Sequence, residues 1–263
     1  MISPPNRIPV SVLAWTAFVC CFAELPAPAI AQKKVPDGAK VLLVSGGERQ
    51  HHGYRQQAHF LQKVLEDSGK FQVTITEEAA VLETDAMKKY DAVVLTADRR
   101  DDEHRLTAKQ QQALLDYAAS GKGVVSLHGF CCAAKDWKPE MRELLGGVLS
   151  HVGLPDTKVK VGKYTIKVAK PEHPIMRGIE DFDHEDELYY YLQTAGELDA
   201  VASVRHEDKD WPIAWTRTYG KGRVFVTVFG HSRWEPGSKD PQENPPFRQM
   251  IVQAVEWAAG RAK

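Results

Sequence analysis

The segment GKGVVSLHG, residues 121–129, carries the main indication of the fold. It opens with a glycine turn, continues through a short apolar run, and ends with a histidine where that run stops. A run of this length without polar alternation is typical of a strand that is buried on both faces, as in a parallel sheet covered by helices. The segment therefore predicts an α/β fold with a polar residue, His128, at the end of a central strand.

The segments on either side repeat an alternation of strands and helices. Upstream, the pattern predicts strands at residues 40–45, 71–76 and 90–97 and helices at residues 54–68 and 107–120. Downstream, it predicts strands at residues 163–169, 200–204, 213–216 and 223–228 and a closing helix at residues 247–259. This order predicts a mostly parallel sheet with helices on both faces, in a flavodoxin-like winding.

Residues 1–31 have the layout of a cleavable signal peptide. Arg7 precedes an apolar run at residues 10–23, and small residues end at Ala31. That run is too short to span a bilayer, so we expect a protein that is periplasmic or secreted and has no membrane segment after cleavage. Residues 32–263 are then a single domain, because their length suits one core and no linker or repeat interrupts them.

Charge and glycine content argue against two classes of ligand. The formal net charge is −1, which gives no reason to expect nucleic acid as a partner. Gly46-Gly47 lacks the further glycines of a dinucleotide or phosphate-binding loop, so no nucleotide cofactor is predicted. A small-molecule ligand fits better, and the sequence leaves a homo-oligomer open.

Histidines follow three of the predicted strands. His52 lies in the loop after the first strand, His128 ends the fourth, and His231 follows the last. Ligands of open parallel sheets bind beyond the carboxyl ends of the strands, so these imidazoles are expected to converge if the strands are neighbours. His151 is a further candidate for the same crevice.

The segment DFDHEDELYYY, residues 181–191, places carboxylates beside aromatic residues. It is either a solvated acidic loop with tyrosines packed on the sheet or part of the site. In the second interpretation Asp186 or Glu187 is a metal ligand or a general base. Tyrosines such as Tyr189, together with tryptophans such as Trp234, offer flat faces for sugar rings.

A third hypothesis, with the least support in the sequence, is an enzyme with a cysteine nucleophile. Cys131 follows a strand end, where a histidine can activate a thiol. The reactive residue of a nucleophile elbow, however, sits in the sharp turn itself, and His128 occupies that place here.

Taken together, these motifs resemble the ThuA-like (trehalose utilisation) domain over nearly all of residues 32–263. The most specific are Asp186-Glu187-Leu188-Tyr189 and the run from Gly220 to Phe225 that leads to Gly230-His231. The other matches are the loop with His52, residues 123–129, Leu145-Gly146-Gly147 followed by His151, His173-Pro174, and residues 212–215. His51-His52-Gly53 and the pair Cys131-Cys132 depart from many members, which leaves the substrate open.

The resemblance implies a class I glutamine amidotransferase-like fold without glutamine hydrolysis, because His128 stands where amidotransferases have their cysteine. It also implies catabolism of trehalose or related glucosides, often beside oxidoreductases that produce 3-keto sugars. We therefore expect a carbon-oxygen lyase or hydrolase that acts on an oxidised sugar.

In this hypothesis His128, Glu187 and His231 are catalytic. A divalent metal is bound with help from His151 and Asp186, and their nitrogen and oxygen ligand atoms favour Zn²⁺. The substrate-binding candidates are His52, Tyr189, Arg223 and Trp234. The alternative is a non-catalytic carbohydrate-binding or sensing module on the same scaffold.

Overall fold

The computed structural model describes residues 37–47, 52–150, 157–231 and 243–262. The first half of the chain contains β1 (Ala39–Val44), α1 (Tyr54–Asp67), β2 (Phe71–Thr76), β3 (Ala92–Leu95), α2 (Ala108–Ala119), β4 (Gly123–Leu127), β5 (Cys132–Ala133), α3 (Pro139–Leu145) and β6 (Gly147–Ser150). The second half contains β7 (Lys158–Val168), β8 (Phe182–Tyr190), β9 (Gln193–Thr194), β10 (Asp199–His206), β11 (Lys209–Tyr219), β12 (Gly222–Thr227) and α4 (Pro245–Ala258). Short 3₁₀ turns occupy Ala79–Glu83, Asp85–Lys89 and His128–Cys131.

Nine strands form one sheet in the order β2-β1-β3-β4-β12-β11-β10-β7-β8. The first five are mutually parallel, and the remaining four extend the sheet with antiparallel pairs. Strands β5, β6 and β9 form a small second sheet. The predicted α/β class, with a parallel centre and a flavodoxin-like or amidotransferase-like winding, is confirmed.

The parallel strands are buried along their length because both faces are covered. Every residue of β3 and β4 is buried, as the apolar runs predicted. Helices α1 and α4 pack together on one face, and α2 and α3 on the other. Helix α2 begins where predicted, because Thr107 and Gln110 form a capping box that satisfies two of the first backbone N–H groups.

Strands β7 and β8 form a hairpin that reaches beyond the rest of the sheet. Strand β10 pairs with β7 only at residues 166–168, so residues 158–165 of β7 are paired with β8 alone. From the sequence, residues 181–191 could be either a solvated loop or part of the site. In the structure most of them form the edge strand β8. The hairpin brings side chains of β8 to the carboxyl end of β4 from the far edge of the sheet.

The structure does not test several other predictions. The proposed signal peptide, His51, His151 and Trp234 lie outside the described residues. Within the described part of the chain, no helix has the length and apolar character needed to cross a membrane.

Candidate functional site

Three histidines meet at the carboxyl ends of the parallel strands. His52 lies in the loop between β1 and α1, His128 directly follows β4, and His231 follows β12. Their ring centroids are 4.8 to 5.6 Å apart. Because β4 and β12 are neighbours, the structure brings these three predicted side chains together. We call them the histidine cluster.

His128 is held in one orientation by the backbone of β12. Its Nδ1 lies 2.7 Å from the carbonyl oxygen of Val228, which can only accept a hydrogen bond, so Nδ1 carries a proton. The other ring nitrogen, Nε2, therefore faces the cluster. The backbone of His128 has φ 38°, a left-handed conformation that is unusual outside glycine and recurs at functional sites.

The Nε2 atom of His128 has three polar neighbours. Tyr189 Oη lies 2.8 Å away, His231 Nδ1 2.9 Å away and Glu187 Oε2 3.4 Å away. Glu187 Oε2 is also 3.3 Å from His231 Nδ1. A carboxylate, a phenol and two imidazoles thus share one small volume at the sheet edge.

The charges of this group perturb one another. Burial lowers the pKa of His128, but hydrogen bonding to Glu187 and the charges of Asp186 and Glu187 outweigh it, so the pKa is raised. Burial raises the pKa of Glu187, but its hydrogen bonds to His128 and His231 and the charges of these histidines together outweigh burial and bring the pKa well below its ordinary value. Glu187 is therefore ionised at neutral pH. Burial raises the pKa of Tyr189 well above its ordinary value, which keeps the phenol protonated.

The histidine cluster has the donor set and spacing of a metal site. One ring nitrogen from each histidine lies within 4.8 Å of the others. Tetrahedral Zn²⁺ with Zn–N bonds of about 2.0–2.1 Å holds its ligand nitrogens about 3.3 Å apart, so the widest separation in the cluster would have to close by up to about 1.5 Å. The bond from His128 Nδ1 to a backbone carbonyl is also the usual outer contact of a metal-binding histidine. Three histidines leave a fourth position for water or substrate, as catalytic zinc sites do.

Asp186 has a structural place that differs from its predicted role as a metal ligand. Its carboxylate is fully buried and accepts hydrogen bonds from the backbone N–H groups of Gly230, His231 and Glu187. His184 Nε2 lies 3.1 Å from the same carboxylate. With its oxygens engaged in this way, Asp186 fixes the loop after β12 and thereby the position of His231.

We expect Asp186→Asn to destabilise the fold by about 2–4 kcal/mol, because the amide cannot accept all of these buried N–H groups. Urea unfolding of the two proteins gives the difference in free energy. Asp183→Asn, at an exposed position of the same strand, is the control. Equal stabilities of D186N and the parent protein would contradict the role given to Asp186.

The two adjacent cysteines are buried beneath the site. Cys131 Sγ lies 3.5 Å from both Ser126 Oγ and the carbonyl oxygen of Thr227, and Cys132 Sγ lies 3.7 Å from Tyr189 Oη. Burial raises the pKa of Cys131 to about 12 and that of Cys132 further. Neither thiol is suited to act as a nucleophile, since the thiolate is the reactive form.

Thiol reagents should therefore leave the folded protein unmodified at Cys131 and Cys132. With a pKa of about 12, roughly 1 in 10,000 molecules carries the Cys131 thiolate at pH 8. Iodoacetamide labelling followed by peptide mass spectrometry, with and without denaturant, measures the protection. Rapid labelling of Cys131 in the native protein would instead support a thiol-based reaction.

The structure also separates one candidate from the cluster. Arg223 lies at the start of β12, whereas His231 follows the end of that strand. Its guanidinium stacks 5.5 Å from the Trp257 ring centroid and donates to the Trp257 carbonyl oxygen, so it does not share the site. Arg223 therefore lies at the end of the central strands opposite to the histidine cluster.

Two site residues were missed from the sequence, Asp98 and Arg100. The buried Asp98 carboxylate accepts from the Arg100 guanidinium, with Nε 2.8 Å from both oxygens. Burial lowers the pKa of Arg100, but its hydrogen bond to Asp98 and the negative charge of that carboxylate outweigh this effect, so the pKa is raised. Asp98 also abuts Gly129, where a Cβ would lie 2.8 Å from the Asp98 nitrogen. Both residues follow β3, so the strand-end rule that selected His128 was sufficient to find them.

Fold and site together define an α/β protein of amidotransferase-like winding whose elbow carries a histidine in a three-histidine cluster. The family model described as ThuA, trehalose utilisation, matches residues 40–258, and the chain belongs to this family. No curated protein matches the chain.

Solved structures with the same fold cover most of the chain. A ThuA-like protein from Parabacteroides merdae is 22% identical with a TM-score of 0.72, over 86% of this chain and 92% of that one. A ThuA-like protein from Bacteroides uniformis is 17% identical with a TM-score of 0.66, over 91% and 97%. A protein from Salmonella typhimurium described as cytoplasmic is 14% identical with a TM-score of 0.57, over 84% and 98%. At these identities the likeness shows the fold alone.

Proposed function

We propose that this protein is an exported, metal-assisted enzyme that cleaves the glycosidic C–O bond of an oxidised sugar, such as a 3-keto derivative of trehalose or a related glucoside. The observation that carries the proposal is the Glu187 carboxylate, which lies 3.3 to 3.4 Å from two imidazoles of the histidine cluster. A base beside a cation site is the arrangement that proton abstraction next to a carbonyl requires.

The substrate class follows from the family and from the chemistry. The description of the family, trehalose utilisation, points to a glucoside. A keto group at C3 acidifies the hydrogen on C2, so a carboxylate can remove it if the enolate is stabilised at the same time. This requirement is strict here, since the lowered pKa makes Glu187 a weak base.

The side chains divide the work as follows. Glu187 accepts the C2 proton, and the electrons of the C2–H bond form the enolate. The enolate then re-forms the ketone, a C1–C2 double bond develops, and the C1–O bond breaks with its electron pair on the leaving oxygen. That oxygen takes the proton back from Glu187. Addition of water to the unsaturated product gives net hydrolysis.

His52, His128 and His231 would hold the divalent ion, which when bound supplies positive charge for the enolate oxygen. Tyr189 keeps its proton and donates to the site, and Asp186 holds the loop that carries His231. We take Zn²⁺ as the ion, because imidazole nitrogens suit it and three histidines with one open position are a known ligand set of catalytic zinc sites.

The test is an NMR time course of the purified protein with a panel of glucosides and their 3-keto derivatives, before and after chelator treatment. We expect selective consumption of the keto sugars that is lost with chelator and restored by Zn²⁺. Saturable line broadening without any product would replace this proposal with a carbohydrate-binding module. Consumption of the unoxidised glucosides at the same rate would contradict the elimination chemistry, since these have no acidified C2 hydrogen.

A further inference from the structure

A cavity of about 240 Å³ lies beside β5, β6, β9 and the start of α3, and it shares no lining residue with the histidine cluster. Its polar lining consists of Lys135, Trp137, Lys138, Arg142, Ser150 and Gln193. This volume is below the roughly 300–1,000 Å³ of pockets for drug-sized ligands, so it suits a small group or a single sugar ring.

Two buried donors in this lining have no hydrogen-bond partner among the described residues. They are the indole Nε1 of Trp137 and the amide Nε2 of Gln193. An indole N–H can only donate, and leaving such a group unpaired in the interior costs free energy. The indole ring is fixed by Phe130, whose ring centroid is 5.7 Å away. An acceptor bound inside the cavity would satisfy both donors.

Among the described residues, the charged members of the lining are all cations: Lys135, Lys138 and Arg142. Lys135 is 3.2 Å from Asp102 and Lys138 donates to Gln112, whereas Arg142 takes part in none of the ion pairs between described residues. A cationic lining around unpaired donors favours an anion whose oxygens accept several hydrogen bonds.

We propose that this cavity is a binding site for the oxyanion of a small metabolite, a carboxylate or a phosphate, separate from the histidine cluster. Trp137 Nε1 and Gln193 Nε2 donate to its oxygens, and Arg142 supplies the balancing charge. The proposal does not depend on turnover at the histidine cluster, because binding here requires none of those residues.

Isothermal titration calorimetry of the full chain tests it, after chelator treatment so that no bound metal contributes to anion binding. The probes are glucuronate, glucose 6-phosphate, inorganic phosphate and, as the neutral reference, glucose. We expect saturable binding of at least one oxyanion and none of glucose. Tighter binding of glucuronate identifies a carboxylate site, and tighter binding of a phosphate identifies a phosphate site.

Three variants assign the binding to the cavity: Trp137→Phe, Gln193→Leu and Arg142→Gln. Each variant should lower the affinity for the oxyanion by about tenfold or more, as expected for the loss of a hydrogen bond to a charged group. Gln193→Leu should leave the melting temperature of the ligand-free protein nearly unchanged, because the two side chains are similar in size and the deleted amide N–H has no partner among the described residues. Lys160→Gln, an exposed cation on β7, is the matched control. No binding of any oxyanion, equal binding of glucose, or unchanged affinity in all three variants would overturn the proposal.

Discussion

His128→Ala is expected to lower the affinity for Zn²⁺ by at least a hundredfold. Loss of a mere outer partner of a metal ligand costs about 10- to 100-fold, and this change removes a ligand itself. The three ring nitrogens lie within 4.8 Å of one another and form one site. Removal of His128 leaves only two of these ligands. Metal content after dialysis, by mass spectrometry, and competition with a chromophoric chelator measure the loss.

His231→Ala serves as the second variant, because His128 is buried in a left-handed conformation and its replacement also perturbs the fold. The His231 side chain is about 18% exposed, so its removal disturbs less packing. His59→Ala, on the exposed face of α1, is the matched control and should retain the metal. Full metal content in both cluster variants would contradict the metal site.

Glu187→Gln is expected to reduce kcat on the keto sugar by roughly 10² to 10⁴, the usual contribution of a positioned general base. The amide has the size of the carboxylate and still hydrogen-bonds, but it is uncharged and cannot take a proton. Zn²⁺ should stay bound, because Glu187 is not one of the three nitrogen ligands. Stopped-flow or NMR rates, measured together with metal content, separate the two effects.

Glu185→Gln is the control for this substitution. Glu185 lies two residues away on β8 and shares its strand face with Glu187, but it is exposed. The control should keep both kcat and metal content. If E187Q kept full turnover while a metal-ligand variant lost it, the proton acceptor would be a group other than Glu187.

The fold was predictable because its centre consists of continuous apolar runs. Residues 71–76 and the helix at 54–68 were placed to within one residue, since Phe71–Thr76 and Tyr54–Asp67 have plain strand and helix periodicity. Strand β8 was not predicted, because its buried face contains His184 and Asp186. These polar side chains satisfy each other, and such pairing leaves no hydropathy signal in the sequence.

Only those site residues that directly follow a predicted strand could be predicted from the sequence. Parallel strands carry His128 and His231 to one edge, and that rule needs no side-chain detail. Asp186 and Glu187 have distinct roles because neighbouring residues of a strand face opposite sides of the sheet. Knowing which of the two faces the histidines requires the register of the hairpin. One side chain therefore reaches the loop after β12 and the other the histidines.

The position of β12 also has a consequence for how the molecule is made. β12 lies between β4 and β11, and the residues that lock together there, His128 and Val228, are 100 positions apart. During synthesis the edge of β4 thus stays unpaired until nearly the whole domain has emerged, and an open strand edge is prone to wrong association. Insertion of β12 closes that edge and orients His128 in one step. Ligand competence should therefore appear late and all at once during refolding, which makes the histidine cluster a natural reporter of completed assembly.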